Sequence, residues 1–345
     1  PSTFWQNPMA YARASVAAQF WWRTRRWLMW PWRQVRSPRL PSSSGTPRLG
    51  RWVGGVGNGL SLLLAVVMIS FYVWAIWRAP LETIPEEDCH AYLLMARKFS
   101  EGQFPSWPDD FWRFSDHQWV TSANGQVMAK YSPGMPLLMA IGYRVDGVRG
   151  ALRVVPVCGL VAAVALWLLG LYLLGPAGAA MTLGYWLFST STLPFSTYPL
   201  THITDLAFLL VAALAATRLG RYRHWVDAVV LGLTAGYLPV IRPTNVLLWP
   251  ALLWLLFLAS KQGPRPVAWP GWQAGTTAAW RWLRQLSTRP AWRAVGQTRI
   301  PAWLPLLLAA AAIPLLALAA YNQHGFGAPW LTGYSLSGEQ GAFML

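Results

Sequence analysis

Charged residues are scarce in this sequence. Asp, Glu, Lys and Arg together make up 12% of its 345 residues, which is about half of their share in an average soluble domain. Hydrophobic residues make up 54%, and several apolar stretches approach or exceed the length that crosses a bilayer. These proportions exclude an ordinary soluble domain and predict an all-α polytopic membrane protein.

Cysteine is scarce as well. Cys89 and Cys158 are the only two, which excludes a disulfide framework, and their spacing is not that of a metal site. The net charge of +16 does not predict nucleic-acid binding, because the basic residues lie between apolar segments, as topology signals do. We therefore expect the lipid bilayer, and no nucleic acid, among the partners of this protein.

Only twelve residues are acidic, and nine of them lie between positions 79 and 153. The densest group is Glu86, Glu87 and Asp88, just after the first long apolar segment. Carboxylates near lipid are costly unless they are solvated or have a function. Helix capping explains any one of the three, because acids favour helix N-termini. Three in a row are better explained if one serves as a base or binds a cation.

The apolar pattern predicts seven membrane-spanning helices. Residues 1–57 carry nine arginines and no acid, which predicts a cytoplasmic N-terminal tail. Within this tail, residues 15–34 are rich in Trp and Arg and predict a helix lying on the membrane surface. The seven spans of the transmembrane domain, 58–345, are expected at about 58–78, 154–174, 177–193, 203–218, 226–241, 244–260 and 301–320.

The charges between these spans agree with that topology. The connection 261–300 has seven basic residues and no acid, and 218–224 contains three arginines, so both are expected in the cytoplasm. The segment 79–153 is then an outer loop, long enough to be functional. Within it, 88–101 reads as a short amphipathic helix ended by a glycine, and 134–145 as a second helix too short to span.

Four further residues near predicted outer helix ends or loops are candidates for a site. For Lys130, a solvated loop charge ranks slightly ahead of phosphate binding. For His202 and Asp205, capping of the following helix explains the residue at least as well as ligand binding does. Arg242 could extend to the interface, but the positive-inside bias disfavours an outer arginine without a partner. A phosphate group would suit it.

Several of these segments resemble one family. They are 87–97 (EDCHAYLLMAR), 131–143 (YSPGMPLLMAIGY), 242–245 (RPTN) and parts of 321–334. Their order and sidedness resemble the GT-C-type integral membrane glycosyltransferases, in particular bacterial relatives of dolichyl-phosphate-mannose–protein mannosyltransferases and of lipid A aminoarabinose transferases. That family typically has an acidic pair after the first helix, then Tyr-Leu, then a Pro-rich interfacial helix. The resemblance covers most of 58–340.

The resemblance implies a function. It places the catalytic acid at Asp88, with Glu87 beside it, and it leaves Cys89 where many relatives have a second acid. A sugar would pass from a polyprenyl-phosphate donor to an acceptor on the periplasmic face of a bacterial inner membrane, with inversion. Asp88 would be the general base.

The remaining candidates fall into two groups. Arg242, Lys130 and His202 are expected to bind the phosphate of the lipid donor. Asp205 and Glu86 are candidates for binding the acceptor or a metal ion. A divalent metal bridging acid and phosphate remains an alternative to binding by arginine alone.

Two other functional classes stay open. One is a non-catalytic membrane subunit of a larger complex that keeps the glycosyltransferase-like fold. The other, a transporter, ranks last because charged residues within the predicted spans are few. The chain begins at Pro1 and ends at Leu345 in a polar segment, so we expect it to be part of a longer protein. The resemblance implies that this protein continues with further helices and a C-terminal outer domain.

Overall fold

A computed structural model describes residues 47–78, 87–108, 118–262 and 301–337. The predicted surface helix 15–34, Glu86 and nearly all of the connection 261–300 lie outside these residues. The chain divides at Val53 and Gly54 into two units. Everything described below, except the first residues of the first helix, belongs to the second unit.

Helices make up most of the described residues, together with one small β-hairpin. In chain order the elements are α1 (Pro47–Arg78), α2 (Glu87–Ser100), β1 (Trp119–Thr121), β2 (Val127–Ala129), α3 (Gly134–Leu173), α4 (Gly175–Leu187), α5 (Thr192–Thr197), α6 (Thr201–Tyr222), α7 (Trp225–Ile241), α8 (Trp249–Gln262), α9 (Trp303–Phe326) and α10 (Gly333–Leu336). A 3-10 helix, Pro243–Leu248, leads from α7 into α8.

Five helical segments among the described residues are long and apolar enough to cross a membrane. They are Gly59–Arg78, Gly134–Leu173, Thr201–Tyr222, Pro243–Gln262 and Trp303–Phe326. The predicted all-α membrane protein is confirmed in this form, as a mostly helical, multi-pass chain. The other two predicted spans correspond to α4 and α7, which have 13 and 17 residues. Both are shorter than the roughly 20 residues of a typical spanning helix, so seven spans are not confirmed.

The first helix begins earlier than the sequence predicted. Its apolar part, Gly59–Arg78, agrees with the predicted span 58–78, but α1 starts at Pro47, inside the predicted basic tail. Proline is favoured at the first position of a helix. A helix that has formed in its apolar part also extends at little cost into neighbouring residues.

The predicted outer helix 88–101 is confirmed as α2, Glu87–Ser100. Two acids lie in its first turn and two basic residues in its last turn, which suits the helix dipole. The chain leaves the helix through Gly102, whose φ of +74° favours glycine. One face of α2 packs into the protein, and its buried residues are Cys89, Ala91, Tyr92, Met95 and Ala96.

The predicted short helix 134–145 is the first part of α3. The helix is interrupted at Asp146 and Gly147, where Gly147 has φ +54° and ψ −140°, and then continues to Leu173. A side chain on Gly142 or Gly150 would overlap the backbone of the other glycine. The two parts of α3 therefore pack closely at the kink, and the sequence correctly predicted the break.

The hairpin in the outer loop was not predicted. Strands β1 and β2 pair antiparallel, with Trp119 opposite Ala129, and the connecting turn contains Asn124 and Gly125. The Ser122 hydroxyl accepts hydrogen bonds from the backbone N–H groups of Asn124 and Gln126 at 3.3 and 3.1 Å. An Asn-Gly pair between β-prone residues is a signal for a hairpin, so this hairpin could have been predicted from the sequence.

Four helix ends meet at one end of the bundle, which we call the site end. The Tyr237 hydroxyl, near the end of α7, donates to the Gly134 carbonyl at the start of α3 at 2.8 Å. The residue after α7, Arg242, binds the start of α6. The hairpin contacts the end of α9 through the Ala123 N–H and the Gly325 carbonyl, 3.0 Å apart. The outer loop, the helix ends and the segment after α9 therefore share one core.

The opposite end of the bundle is basic. Arg218, at the end of α6, forms an ion pair with Asp227 at the start of α7, with 2.7 Å between Nε and Oδ1. Arg221 donates to the side chain of Gln262, the last residue of α8, at 2.6 Å. Glu87 and Asp88 thus lie at the opposite end of the bundle from the arginines of the 218–224 connection, as the charge pattern predicted.

Candidate functional site

The carboxylate of Asp88 is held by a tyrosine from a distant part of the chain. Asp88 lies in the first turn of α2, and its Oδ1 accepts a hydrogen bond of 2.5 Å from the Tyr131 hydroxyl. Tyr131 lies between β2 and α3 and is 2% exposed. No other described residue forms a hydrogen bond with Asp88, so its second oxygen remains available to a substrate.

Aromatic rings enclose Tyr131. Its ring centroid lies 4.9 Å from that of Tyr92 and 6.0 Å, edge to face, from that of Tyr334. Burial raises the pKa of Tyr131 well above its ordinary value, and the hydrogen bond to Asp88 raises it further. The phenol therefore keeps its proton and always donates to the carboxylate.

The second charged group of the site is built around Arg242. Its Nε donates to the Thr201 hydroxyl at 2.5 Å and lies 3.3 Å from Oδ2 of Asp205. Asn245 donates to the other oxygen of Asp205 at 2.8 Å and to the Leu238 carbonyl at 3.0 Å. Thr201 and Asp205 at the start of α6 thus fix one guanidinium group, and Asn245 holds Asp205 in place.

This arrangement uses only one edge of the guanidinium. Among the described residues, no hydrogen bond reaches the two terminal amino groups of Arg242, and the side chain is 39% exposed. Terminal amino groups of arginine match the geometry of a phosphate or carboxylate. Asp205 therefore supplies part of the partner that an outer arginine was expected to need. The terminal amino groups of Arg242 are left as donors for an anion.

Tyr92 connects Asp88 with the Arg242 group. It lies four residues after Asp88 in α2 and is 4% exposed. Its pKa lies well above the ordinary value, first because of burial and then because of Tyr334 and Asp88, whereas Arg242 lowers it. The Tyr92 ring contacts that of Tyr131, which binds Asp88. A Cβ on Gly134, three residues after Tyr131, would overlap the backbone of Val240, two residues before Arg242. These contacts place Asp88 and Arg242 at the same end of the bundle.

Glu87 lies beside this site. It is exposed, and its Oε2 accepts a hydrogen bond of 3.2 Å from the Gln118 side chain. α2 begins at Glu87, so Asp88 sits within the first turn instead of capping the helix. Cys89 is fully buried in α2, so the position expected to carry a second acid faces the protein core.

Lys130 is buried at the site end, contrary to our expectation of a solvated loop charge. It follows β2 and is 6% exposed, and its Nζ lies 5.7 Å from the centre of the Tyr131 ring. The start of α10 covers it, because a side chain on Gly333 would overlap the Lys130 backbone. The charge is therefore close to Tyr131 and through it to Asp88.

Capping does not explain His202 or Asp205. The residue preceding α6 is Leu200, and no side chain caps this helix. His202 is exposed and packs edge to face on Phe195, with 5.0 Å between ring centroids. Asp205 instead binds Arg242 and Asn245. The structure thus brings Asp205 to the Arg242 group, whereas His202 contacts a different side chain.

Among the residues that the structure describes, no three His, Cys, Asp or Glu side chains come together in a group that could hold a metal ion. Glu86, a predicted metal or acceptor residue, lies outside those residues. The described part of the site offers the Asp88 carboxylate with an open oxygen, the exposed Glu87 beside it, and one arginine with open donors. Such a set suits proton transfer and anion binding.

Comparison with known proteins adds no family to this description, because the chain matches no family model, no curated protein and no solved structure. The resemblance to the GT-C-type glycosyltransferases therefore stays a hypothesis that depends on the motifs.

Sequence reasoning missed the residues that hold the predicted ones in place. Tyr131 and Asn245 lie within segments that were singled out, but no role was predicted for either. Thr201 and Tyr334 were likewise not predicted as site residues. Each acts on a residue more than 30 positions away, and no local pattern marks such a pair.

Proposed function

We propose that this protein is a membrane glycosyltransferase that moves a sugar from a polyprenyl-phosphate donor to an acceptor hydroxyl at the site end. The observation that carries the proposal is a carboxylate, Asp88, with one oxygen unbound by described residues, at the same end of the bundle as Arg242, whose terminal amino groups are unbound by them. Sugar transfer from a lipid phosphate needs a base for the acceptor and a cation for the leaving phosphate. The site has one of each.

The proposed reaction is a single displacement. The free oxygen of Asp88 takes the proton of the acceptor hydroxyl, whose oxygen attacks the anomeric carbon of the donor sugar. The bond between that carbon and the phosphate oxygen breaks, and the polyprenyl phosphate leaves with the electron pair. The terminal amino groups of Arg242 stabilise the charge that develops on the phosphate. The sugar is transferred with inversion, because there is one displacement.

The other charged residues have supporting roles. Tyr131 keeps the Asp88 carboxylate in one orientation, and Asp205 does the same for Arg242. Lys130 adds positive charge close to Tyr131. Glu87 lies next to Asp88 and, being exposed, is the reserve candidate for the base. No step requires a metal ion.

The location of the reaction follows from the charges of the two bundle ends. The basic end, with Arg218 and Arg221, is proposed to face the cytoplasm, as the positive-inside rule predicts. The site end then faces the outer side, the periplasm of a bacterial inner membrane. Lipid-linked sugar donors for the cell envelope would reach the site from the bilayer.

Replacement of Asp88 by asparagine tests the proposal. Asp88→Asn keeps the shape of the side chain and removes the base, so transfer of sugar from a polyprenyl-phosphate donor should fall by at least a hundredfold. Asp146→Asn is the matched control, because Asp146 is exposed at the α3 kink and pairs with Arg153. Sugar transfer that is retained in Asp88→Asn would contradict the assignment of Asp88 as the base. A folded wild-type protein without transfer would favour the non-catalytic subunit.

A further inference from the structure

The proposed reaction leaves one polar group of the site without a role, the hydroxyl of Tyr92. Tyr92 is 4% exposed, and its hydroxyl makes no hydrogen bond with any described residue. Buried polar groups are nearly always hydrogen-bonded, and a buried donor without an acceptor is destabilising. A buried donor that a folded protein keeps without an acceptor is expected to find its acceptor on a ligand.

The Tyr92 hydroxyl is not sealed inside the protein. Tyr321, in α9, has an unpartnered hydroxyl that is completely enclosed. The Tyr92 oxygen also lacks a partner, yet it is not among the enclosed unpartnered atoms of the described residues. The small exposed part of Tyr92 therefore includes its oxygen, and a ligand can reach it.

Neighbouring carboxylates do not take this hydroxyl as a donor. Asp88 accepts from Tyr131 instead. Both oxygens of Asp205 are engaged, one by Asn245 and the other by Arg242. The Tyr92 ring lies 4.9 Å from that of Tyr131, the residue that holds the proposed base. Among the described residues, the Tyr92 hydroxyl thus has no acceptor, although it lies beside the proposed base.

We propose that the Tyr92 hydroxyl donates a hydrogen bond to a phosphate oxygen of the bound polyprenyl-phosphate lipid. This inference rests on the proposed function and adds a second phosphate ligand beside Arg242. Burial raises the pKa of Tyr92, so the hydroxyl keeps its proton and acts as a donor over the physiological range. The Tyr92 hydroxyl, which has no acceptor among the described residues, gains one when the lipid phosphate binds.

Binding of decaprenyl phosphate to the full chain in detergent, compared with binding of decaprenol, tests this inference. Tyr92→Phe removes only the hydroxyl, and the loss of a hydrogen bond to a charged group should weaken decaprenyl phosphate binding by about tenfold to a hundredfold. Decaprenol binding should be unchanged. Tyr321→Phe is the matched control, because it removes another buried, unpartnered hydroxyl, and it should leave both affinities as they are.

The outcomes separate the two proposals. A wild-type protein that prefers decaprenyl phosphate, together with equal affinities for wild type and Tyr92→Phe, would overturn the role of Tyr92 and leave the proposed function standing. A wild-type protein that binds decaprenol as tightly as decaprenyl phosphate would overturn the proposed function and this inference with it. Cooperative thermal unfolding of both Phe variants at or above the unfolding temperature of the wild type verifies that the fold is intact.

Discussion

The hydroxyl of Tyr131 donates a hydrogen bond of 2.5 Å to the Asp88 carboxylate across 43 positions of sequence. One partner comes from the first turn of α2, and the other from the segment that leads into the kinked helix α3. The hydrogen bond joins these elements and leaves one carboxylate oxygen available. This relationship is the reason why the proposed reaction uses Asp88 as its base.

Removing the Tyr131 hydroxyl should weaken catalysis without unfolding the protein. Tyr131→Phe loses a hydrogen bond to a charged group, which contributes about 1.5–3 kcal/mol, and the carboxylate becomes free to rotate. We expect sugar transfer to fall by about tenfold or more, with the larger effect on kcat. The control is Tyr185→Phe, because Tyr185 is 84% exposed. Unchanged kcat in Tyr131→Phe would contradict the role of this hydrogen bond.

Removing the negative charge of Asp205 should affect the binding of the donor more than the rate of the chemical step. Asp205→Asn breaks the ion pair with Arg242, so the guanidinium is no longer fixed. We expect KM for the polyprenyl-phosphate donor to rise by about tenfold, with a smaller change in kcat. Steady-state kinetics with varied donor measures both constants.

Asp227→Asn is the matched control for that experiment. It breaks the corresponding ion pair with Arg218 at the opposite end of the bundle. Both variants should lower the thermal stability, since each leaves a partly buried arginine without its carboxylate. Only Asp205→Asn should raise KM. An equal rise in both variants would indicate a general loss of structure instead of a local role.

The contact between α3 and α7 should be sensitive to a single methyl group. A Cβ added at Gly134 would lie 2.6 Å from the Val240 carbonyl oxygen. Gly134→Ala should therefore separate the two helix ends and lower the free energy of unfolding by about 1–3 kcal/mol. Gly59→Ala, where no atom lies within 4 Å, should be neutral or stabilising. Equal stability of the two variants would contradict this close contact.

Stability should fall at high pH because of Tyr92 and Tyr131. Burial raises the pKa of both above the ordinary value near 10, so above about pH 10 the unfolded chain has lost protons that the folded protein keeps. Each tyrosine then lowers the free energy of unfolding by about 1.4 kcal/mol per pH unit, and has no effect below that range. The free energy of unfolding, measured from pH 8 to 11, should fall less steeply with pH in Tyr92→Phe and Tyr131→Phe than in Tyr185→Phe.

Local patterns predicted the elements of this fold better than their partners. Helix α2 was predicted within one residue of each end, because its acids, its apolar face and Gly102 are all local signals. The start of α1 was missed because the tail has no apolar period. The hairpin had a local signal in Asn124 and Gly125 that was overlooked.

The candidate site was predicted in part. Asp88, Asp205 and Arg242 were singled out as charges that are unusual for their place in the chain. The structure pairs Asp205 with Arg242 and places Asp88 at the same end of the bundle. Their immediate partners are set by packing between distant elements. For this reason the sequence did not predict that Tyr131 binds Asp88 or that Asp205 binds Arg242. It also favoured a solvated Lys130, whereas the structure buries this residue.

The central claim, that the site end binds a lipid phosphate between a base and an arginine, is tested most directly by an experimental structure of the protein with decaprenyl phosphate bound. We expect phosphate oxygens within about 3 Å of the terminal amino groups of Arg242 and of the Tyr92 hydroxyl, on the side of Tyr92 that faces Asp88. A phosphate group bound at the opposite end, beside Arg218 and Arg221, would contradict the claim.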